Sequence, residues 1–536
     1  MPKRIEIQRI GIGVYLQSTR VASKPRFAGL LLIAAVGIAS ACSQGEKSCP
    51  RCSTLVVAAT GNPDALLPPV VGGTLGRDIS DQIFERLATL PPHAAPVDSS
   101  VYRPGLAVRW ERVDSVTLRF HLRPGASWHD GAPVTADDVA FSFAAYADTA
   151  LQAGDQQIVS ELKASAQDDS TILIRFPATD PEQWYTATWY VRVLPRHIWD
   201  SIPRASWVSD TSARRLIGSG PYKLVSWIRD QSLTLERVSN GPAIERVVWR
   251  FAADPDAALN LLLSHEADLL ESVGDSARVA RVRGDTAFTT ISYPAAVYGF
   301  LGFNLNAPQG SAVRTREVRQ ALTLAADRSA AARAVFGPEA IAPAGPMSRI
   351  LWIYDSTHTG VPLDRTASER LLAGRKPSID ILVPGTSVTR RNLAQILQEM
   401  WRAIGVRTTI TAVDFPVFQE RLRTGKFESF IGAWLDEPSP RTLEDQWTSS
   451  GIGKLNYTRY RNPVFDSLFR RAAWFRGNVT EARAAWREAL DTLNADVPAI
   501  WLYNPTQVAA VPRRLEGVTI NPYSWLSGLP SWKIGK

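Results

Sequence analysis

The side chains here whose types could support chemistry are six histidines, three cysteines and one Gly-Ser-Gly loop in 536 residues. His93, His121, His129, His197, His265 and His358 are scattered, and none falls in an H-E-x-x-H pattern or another tight metal-binding spacing. No serine occupies a G-x-S-x-G elbow. Gly218-Ser219-Gly220 lacks the Lys-Ser/Thr of a phosphate loop and the full dinucleotide fingerprint, which argues against nucleotide binding. His129-Asp130 stands in a turn, where such a pair is expected to orient backbone rather than hold a metal. Cys49 and Cys52 form a C-x-x-C inside a polar tether, SQGEKSCPRCS, and there is no second pair to complete a zinc site. A local disulfide between them, formed in an oxidising compartment, is the expectation. No cofactor and no metal follow from these residues.

Charge and hydropathy show where the chain is destined. Lys3, Arg4, Arg9, Arg20, Lys24 and Arg26 against Glu6 place most of the formal net charge of +8 before residue 42. The remainder has no basic patch interleaved with aromatics, so nucleic acid is not an expected partner. Phe27 to Ala41 is a charge-free run, too short to span a bilayer comfortably and of the length of a signal segment. Ala39-Ser40-Ala41-Cys42 resembles the end of a bacterial lipoprotein signal, which would make Cys42 the lipidated first residue of a membrane-anchored chain. Ordinary secretory cleavage near Ala41 is the alternative.

The elements that must position any site are legible as periodic runs. Thr54 to Ala59, Leu118 to Leu122, Ile172 to Phe176, Ile379 to Val383 and Val406 to Ala412 read as strands, and Leu224 to Ile228 with Ser232 to Arg237 as a hairpin. Thr135 with Asp138 three residues on reads as a capping box opening a helix through Tyr146. Leu393, Ile396, Leu397, Met400 and Trp401 recur at helical spacing, and Gly405 ends that helix before the next strand. Ala257 to Leu263, Val318 to Ala326, Val464 to Phe475 and Thr480 to Leu493 are further helices. Strand-helix-strand order of this kind indicates an α/β protein.

Residues 104 to 143 are more specific. Pro104-Gly105-Leu106-Ala107, Trp110, Phe120, Leu122-Arg123, Trp128-His129-Asp130-Gly131, Pro133, Thr135 and Asp138-Val139 resemble the signature of the extracellular solute-binding proteins of family 5. These are the oligopeptide-, dipeptide- and nickel-binding components of ABC importers. Leu194-Pro195-Arg196-His197, Gly218-Ser219-Gly220-Pro221-Tyr222, Asp268, Gly302-Phe303-Asn304, Val318-Arg319-Gln320-Ala321-Leu322 and Ala326-Asp327-Arg328 resemble later blocks of the same family, in order.

The resemblance implies an α/β fold of two lobes joined by two hinge strands, with an extra subdomain in the N-terminal lobe and the ligand between the lobes. It divides the chain into a signal peptide (1–41), a tether (42–53), lobe I (54–100, 215–296 and 505–536), its extra subdomain (101–214) and lobe II (297–504). Peptide-binding members use the Asp of a Trp-x-x-Asp-Tyr-x-x-Pro stretch to pair with a free α-amine. The corresponding stretch is Trp434-Leu435-Asp436-Glu437-Pro438-Ser439-Pro440-Arg441, with one residue fewer between Trp and Asp and Glu437 in place of Tyr. Asp436 is the expected amine partner, with Glu437 as its rival and Trp434 as a pocket wall. Arg441 is expected to meet a ligand carboxylate or to pair with Glu437 or Glu444. Tyr298 lines the cleft or enters the core, and Trp128, Trp184 and Trp189 are weaker candidates. The implied protein is a monomeric, non-enzymatic receptor, exported to the periplasm or outer cell surface. It would pass an oligopeptide or dipeptide to an ABC permease and ATPase complex. A nickel chelate or oligosaccharide as ligand, or a cell-surface hydrolase using Asp436 and Glu437, are the alternatives.

Overall fold

Three sheets organise the chain in the computed structural model, which describes residues 53–209, 213–238, 241–358 and 360–535. Cys42, Cys49, Cys52 and the leader lie outside the described residues.

The first sheet has seven strands, in the spatial order Phe288–Pro294, Thr506–Pro512, Leu269–Leu270, Thr54–Thr60, Arg246–Ala252, Ser232–Arg237, Tyr222–Ile228. Thr54–Thr60 is central and parallel to both of its neighbours. Its side chains alternate, so Leu55 and Val57 enter one core while Val56 and Ala58 enter another on the opposite face. That is why the run is apolar throughout rather than alternating. Helix Thr74–Ile83 covers the first face through Ile79 and Ile83, and helix Pro255–Leu263 covers the second.

The second sheet has five strands, ordered Arg407–Val413, Ser378–Pro384, Ser429–Leu435, Val297–Phe303, Ala499–Tyr503. Its first two strands are parallel and joined by helix Val388–Arg402, the strand-helix-strand unit expected from the sequence. Gly405 (φ 80°) turns the chain between that helix and the second strand.

Four antiparallel strands, Ala107–Asp114, Thr117–Leu122, Thr171–Arg175 and Lys163–Asp168, form the third sheet, with helix Ala136–Ala147 packed on it. The capping box at Thr135 and Asp138 is present. The buried Asp138 carboxylate also accepts from the backbone N–H of Arg196 at 2.8 Å and from Trp128 Nε1 at 3.3 Å. One carboxylate thus joins its own helix start and the turn at Trp128 to the segment at Arg196, 58 positions away.

His129 is a second knot. Its Nδ1 accepts from the Gly218 N–H at 3.2 Å, and its Nε2–H donates to the Gly220 carbonyl at 2.9 Å. Burial lowers its pKa, which favours this neutral form with one donor and one acceptor. The glycines are required by packing, because a Cβ on Gly218 would lie 1.8 Å from the Ile83 carbonyl oxygen.

The chain passes between the two large sheets twice. It leaves Phe288–Pro294 through Ala295 and Ala296 to enter Val297–Phe303, and it returns from Ala499–Tyr503 through Asn504 and Pro505 to Thr506–Pro512. The crossings run side by side, with the Ala295 N–H donating to the Pro505 carbonyl at 3.1 Å.

The packing at Gly218 makes a direct prediction. Gly218→Ala destabilises the protein by at least 1–3 kcal/mol, the usual range for overpacking, read as a lower urea midpoint. An unchanged midpoint would mean that the loop yields without cost.

Candidate ligand-binding cleft

A cavity of about 600 Å³ opens where the crossings meet the two large sheets. Helix Thr74–Ile83 supplies Arg77, Asp78 and Asp81 to its wall, and the first crossing supplies Ala296. Leu435, Asp436 and Glu437 come from the end of a strand in the five-stranded sheet. Tyr146, Asp155, Trp189, Tyr190 and Arg192 come from segments packed with the four-stranded sheet, and Pro522 and Tyr523 from the C-terminal segment.

Asp436 follows strand Ser429–Leu435, which stops before Pro438 and Pro440, residues without a backbone N–H to continue a ladder. The residue is 5% exposed. Its carboxylate accepts from the Ser348 N–H at 2.5 Å, and its own N–H donates to the Ala296 carbonyl at 2.8 Å. Among the described residues it forms no ion pair. Burial raises its pKa to about 6, with the Ser348 hydrogen bonds pulling the other way. A buried carboxylate in this state is costly unless a cation reaches it.

This carboxylate is also fixed to the crossings. Buried Asn504, in the return crossing, donates through Nδ2 to the Met347 carbonyl at 3.2 Å and to the Val297 carbonyl at 3.1 Å. Ser348, which binds Asp436, follows Met347 directly. Ala296, which accepts from Asp436, is part of the other crossing.

Glu437 lies beside Asp436 and accepts from the hydroxyls of Tyr185 at 3.4 Å and Tyr190 at 3.5 Å. Burial and the negative charge of Asp155 raise its pKa. On the opposite wall, Asp81 pairs with Arg192 at 2.6 Å and with Arg86 at 3.5 Å. Burial pushes Asp81 up, but the two guanidinium groups outweigh it and hold it below its usual value. The Arg86 guanidinium stacks 4.8 Å from the Trp189 ring centroid.

Of the residues proposed from sequence, Asp436 and Glu437 line this cavity, as does the weaker candidate Trp189. Tyr298, Trp434 and Arg441 are not among its walls. Tyr298 stands opposite Trp434 in antiparallel register, and strand parity turns both toward the aromatic core of the second lobe. The Tyr298 hydroxyl donates to Gln446 and accepts from Trp447 Nε1, while Trp434 stacks on Phe300 and Tyr457. Arg441 pairs with Asp180 at 2.7 Å and Glu182 at 3.6 Å, not with Glu437 or Glu444, and donates to the Ala473 carbonyl. Ser439 joins it by donating to Glu182 at 2.6 Å, so this loop fastens to the segment before helix Gln183–Trp189. Trp128 and Trp184 are buried in the core around the four-stranded sheet.

Sequence reasoning missed Arg77, Asp78, Asp81 and Arg192. A signal was present in Thr74–Ile83, where Leu75, Ile79 and Ile83 mark the core face and Thr74, Arg77, Asp78 and Asp81 recur as a polar stripe.

Comparison with known proteins bears on the same architecture. Residues 101–454 match the model of the bacterial extracellular solute-binding proteins, family 5. The chain belongs to this family. It is 24% identical to the oligopeptide-binding protein AppA of Bacillus subtilis over 449 residues, covering 77% of this chain and 80% of that protein. It is 23% identical to the dipeptide-binding protein of Escherichia coli over 516 residues, covering 88% and 93%. The crystal structure of the ABC transporter substrate-binding protein CtaP from Listeria monocytogenes superposes with a TM-score of 0.79 at 23% identity, covering 90% of this chain and 99% of that one. The α/β fold is thus the two-lobed fold of periplasmic binding proteins, in a family of solute-binding proteins rather than enzymes.

The strained state of Asp436 has a measurable consequence. A carboxyl whose folded pKa is raised from 3.8 to about 6 opposes folding once pH rises through that interval. Asp436→Asn therefore stabilises the ligand-free protein near pH 8, by up to about 3 kcal/mol, and gives no gain below about pH 4. A loss of stability near pH 8, read from urea midpoints, would mean that the ionised carboxylate is already compensated.

Proposed function

We propose that the protein is the receptor of an ABC importer, anchored through a lipidated Cys42, capturing a peptide-like solute and delivering it to a membrane permease and ATPase complex. In this reading it acts as a monomer, held to a membrane in the periplasm or at the outer cell surface, and Cys49 and Cys52 close a disulfide in its tether. Residues 297–504 close as one lobe against the remainder about the two crossings.

The observation that carries the proposal is Asp436, a buried carboxylate in a cleft wall that forms no ion pair among the described residues. A peptide α-ammonium supplies the missing charge. Asp436 accepts its hydrogen bonds, and the pair forms where closure excludes water and strengthens it. The energy released is felt at the crossings, because Asp436 is bonded to Ala296 and, through Ser348 and Met347, to Asn504. Differential affinity for the closed state drives closure. The names of the relatives, oligopeptide- and dipeptide-binding, point to the same ligand class. Nickel chelates are less favoured because none of the described residues lining the cavity is a histidine.

Native mass spectrometry of the chain beginning after Cys52, followed by calorimetry, tests this. Short peptides with a free amine bind, and N-acetylation weakens them by at least roughly 30-fold, the cost of removing one member of a buried charge pair. Affinity for free-amine peptides also falls as pH drops through about 6, since Asp436 must be ionised to accept the ammonium. Equal binding of acetylated peptides would remove Asp436 from this role. Absence of any peptide binding would overturn the reading.

A further inference from the structure

A second cavity, of about 620 Å³, adjoins the cleft, and all of its described lining residues lie outside 297–504. The two cavities have three lining residues in common, Asp81, Arg86 and Trp189, so these side chains form the wall between them. Two members of the wall are fixed by charge: Asp81 pairs with Arg192 at 2.6 Å and with Arg86 at 3.5 Å. The third is held by contacts of its ring. The Trp189 indole, at the end of helix Gln183–Trp189, stacks on Tyr185 at 5.4 Å, meets Tyr523 edge-on at 6.1 Å and lies under the Arg86 guanidinium. The size of the side chain at 189 therefore decides whether the two spaces communicate.

The cleft side of this wall is close to the acidic groups. Tyr523, which packs on Trp189, lines the cleft, and burial followed by the charges of Asp436 and Glu437 raises its pKa. Its hydroxyl is buried and has no hydrogen-bond partner among the described residues. The rear cavity is also suited to a polar chain. Gln82 Oε1 and Arg86 Nε are buried without a hydrogen-bond partner among the described residues, and Arg103 is exposed without an ion pair. Phe84, Leu90 and Ile520 supply apolar surface to the same cavity. A peptide backbone carries both donors and acceptors, which such groups otherwise lack.

We propose that Trp189 sets the length of the peptide that the cleft accepts. A peptide whose amine is held at Asp436 extends past Tyr523 and stops against the indole. The rear cavity is reached only when the side chain at 189 is small. This rests on the peptide reading above and adds to it the residue that selects short peptides over long ones.

Calorimetry of the full-length chain with free-amine Ala-Gly peptides of two to eight residues tests this. In the wild-type chain affinity falls about 10-fold or more once a length limit is passed, as expected when added residues meet a packed wall. Trp189→Ala moves that limit outward by about two residues or more, each adding roughly 3.5 Å of extended chain. Adding Ser527→Trp to Trp189→Ala places an indole in the rear cavity and moves the limit back toward that of the wild type. Trp189→Leu keeps an apolar side chain in the wall and shifts the limit less. It is read in place of Trp189→Ala if thermal melts show that the alanine variant does not fold. A wild-type chain that binds all lengths equally overturns the assignment. So does a folded variant that weakens every length alike or leaves the limit where it was, which would make Trp189 a packing residue only. In those cases the peptide reading survives. No binding of any length by the wild-type chain overturns both.

Discussion

Asp436 is ionisable, almost fully out of water and, among the described residues, without an ion-pair partner, and it is held there by its hydrogen bonds to Ser348 and Ala296. An uncompensated carboxylate normally moves toward solvent or is replaced by a neutral residue. Here three backbone constraints prevent escape. The strand before it ends on a loop containing Pro438 and Pro440, its N–H is bonded to Ala296, and its carboxylate is bonded to Ser348. The stability lost to this arrangement is available to a ligand that brings a positive charge. Binding sites often carry such local destabilisation, because a site already satisfied has little to gain from a ligand.

The location of this group matters as much as its charge. Ala296 and Asn504 are the two places where the chain crosses between sheets, and both lie within one or two hydrogen bonds of Asp436. A change in charge at that carboxylate is thereby a change in the forces at the hinge. The opposite wall is built differently. Asp81 is compensated by Arg192 and Arg86, and Trp189 packs against Arg86, whereas burial and the charges of Glu271 and Asp81 push the neighbouring Asp78 well up.

Much of the framework was legible in the sequence because it follows from local rules. The capping box at Thr135, the hairpin at Arg229 to Gln231 and the helix through Trp401 are set by residues within a few positions of each other. The role of His129 was also readable as a backbone clamp rather than a ligand, although its partners Gly218 and Gly220 lie some 90 positions away. The cleft was legible at Asp436 and Glu437 through a family motif that this chain alters, and at Trp189 through its residue type. Tyr298 and Trp434 were candidates because of their types, but the pairing of strands 136 positions apart decides which way they face. Arg441 finds its partner 261 positions earlier. Arg77, Asp78, Asp81 and Arg192 belong to no motif, and only the fold shows that their helix and loop face the same space.

The central claim is that a carboxylate kept from its ordinary state is what the ligand recognises. It is tested most directly by following the Asp436 side-chain carboxyl carbon by NMR as a function of pH, in the free protein and with a saturating free-amine peptide. Asp436 is expected to titrate near pH 6 in the free protein, displaced well downward when the peptide is bound, because an ammonium stabilises the ionised form. Titration near the ordinary value of 3.8 in the free protein, unmoved by peptide, would contradict it.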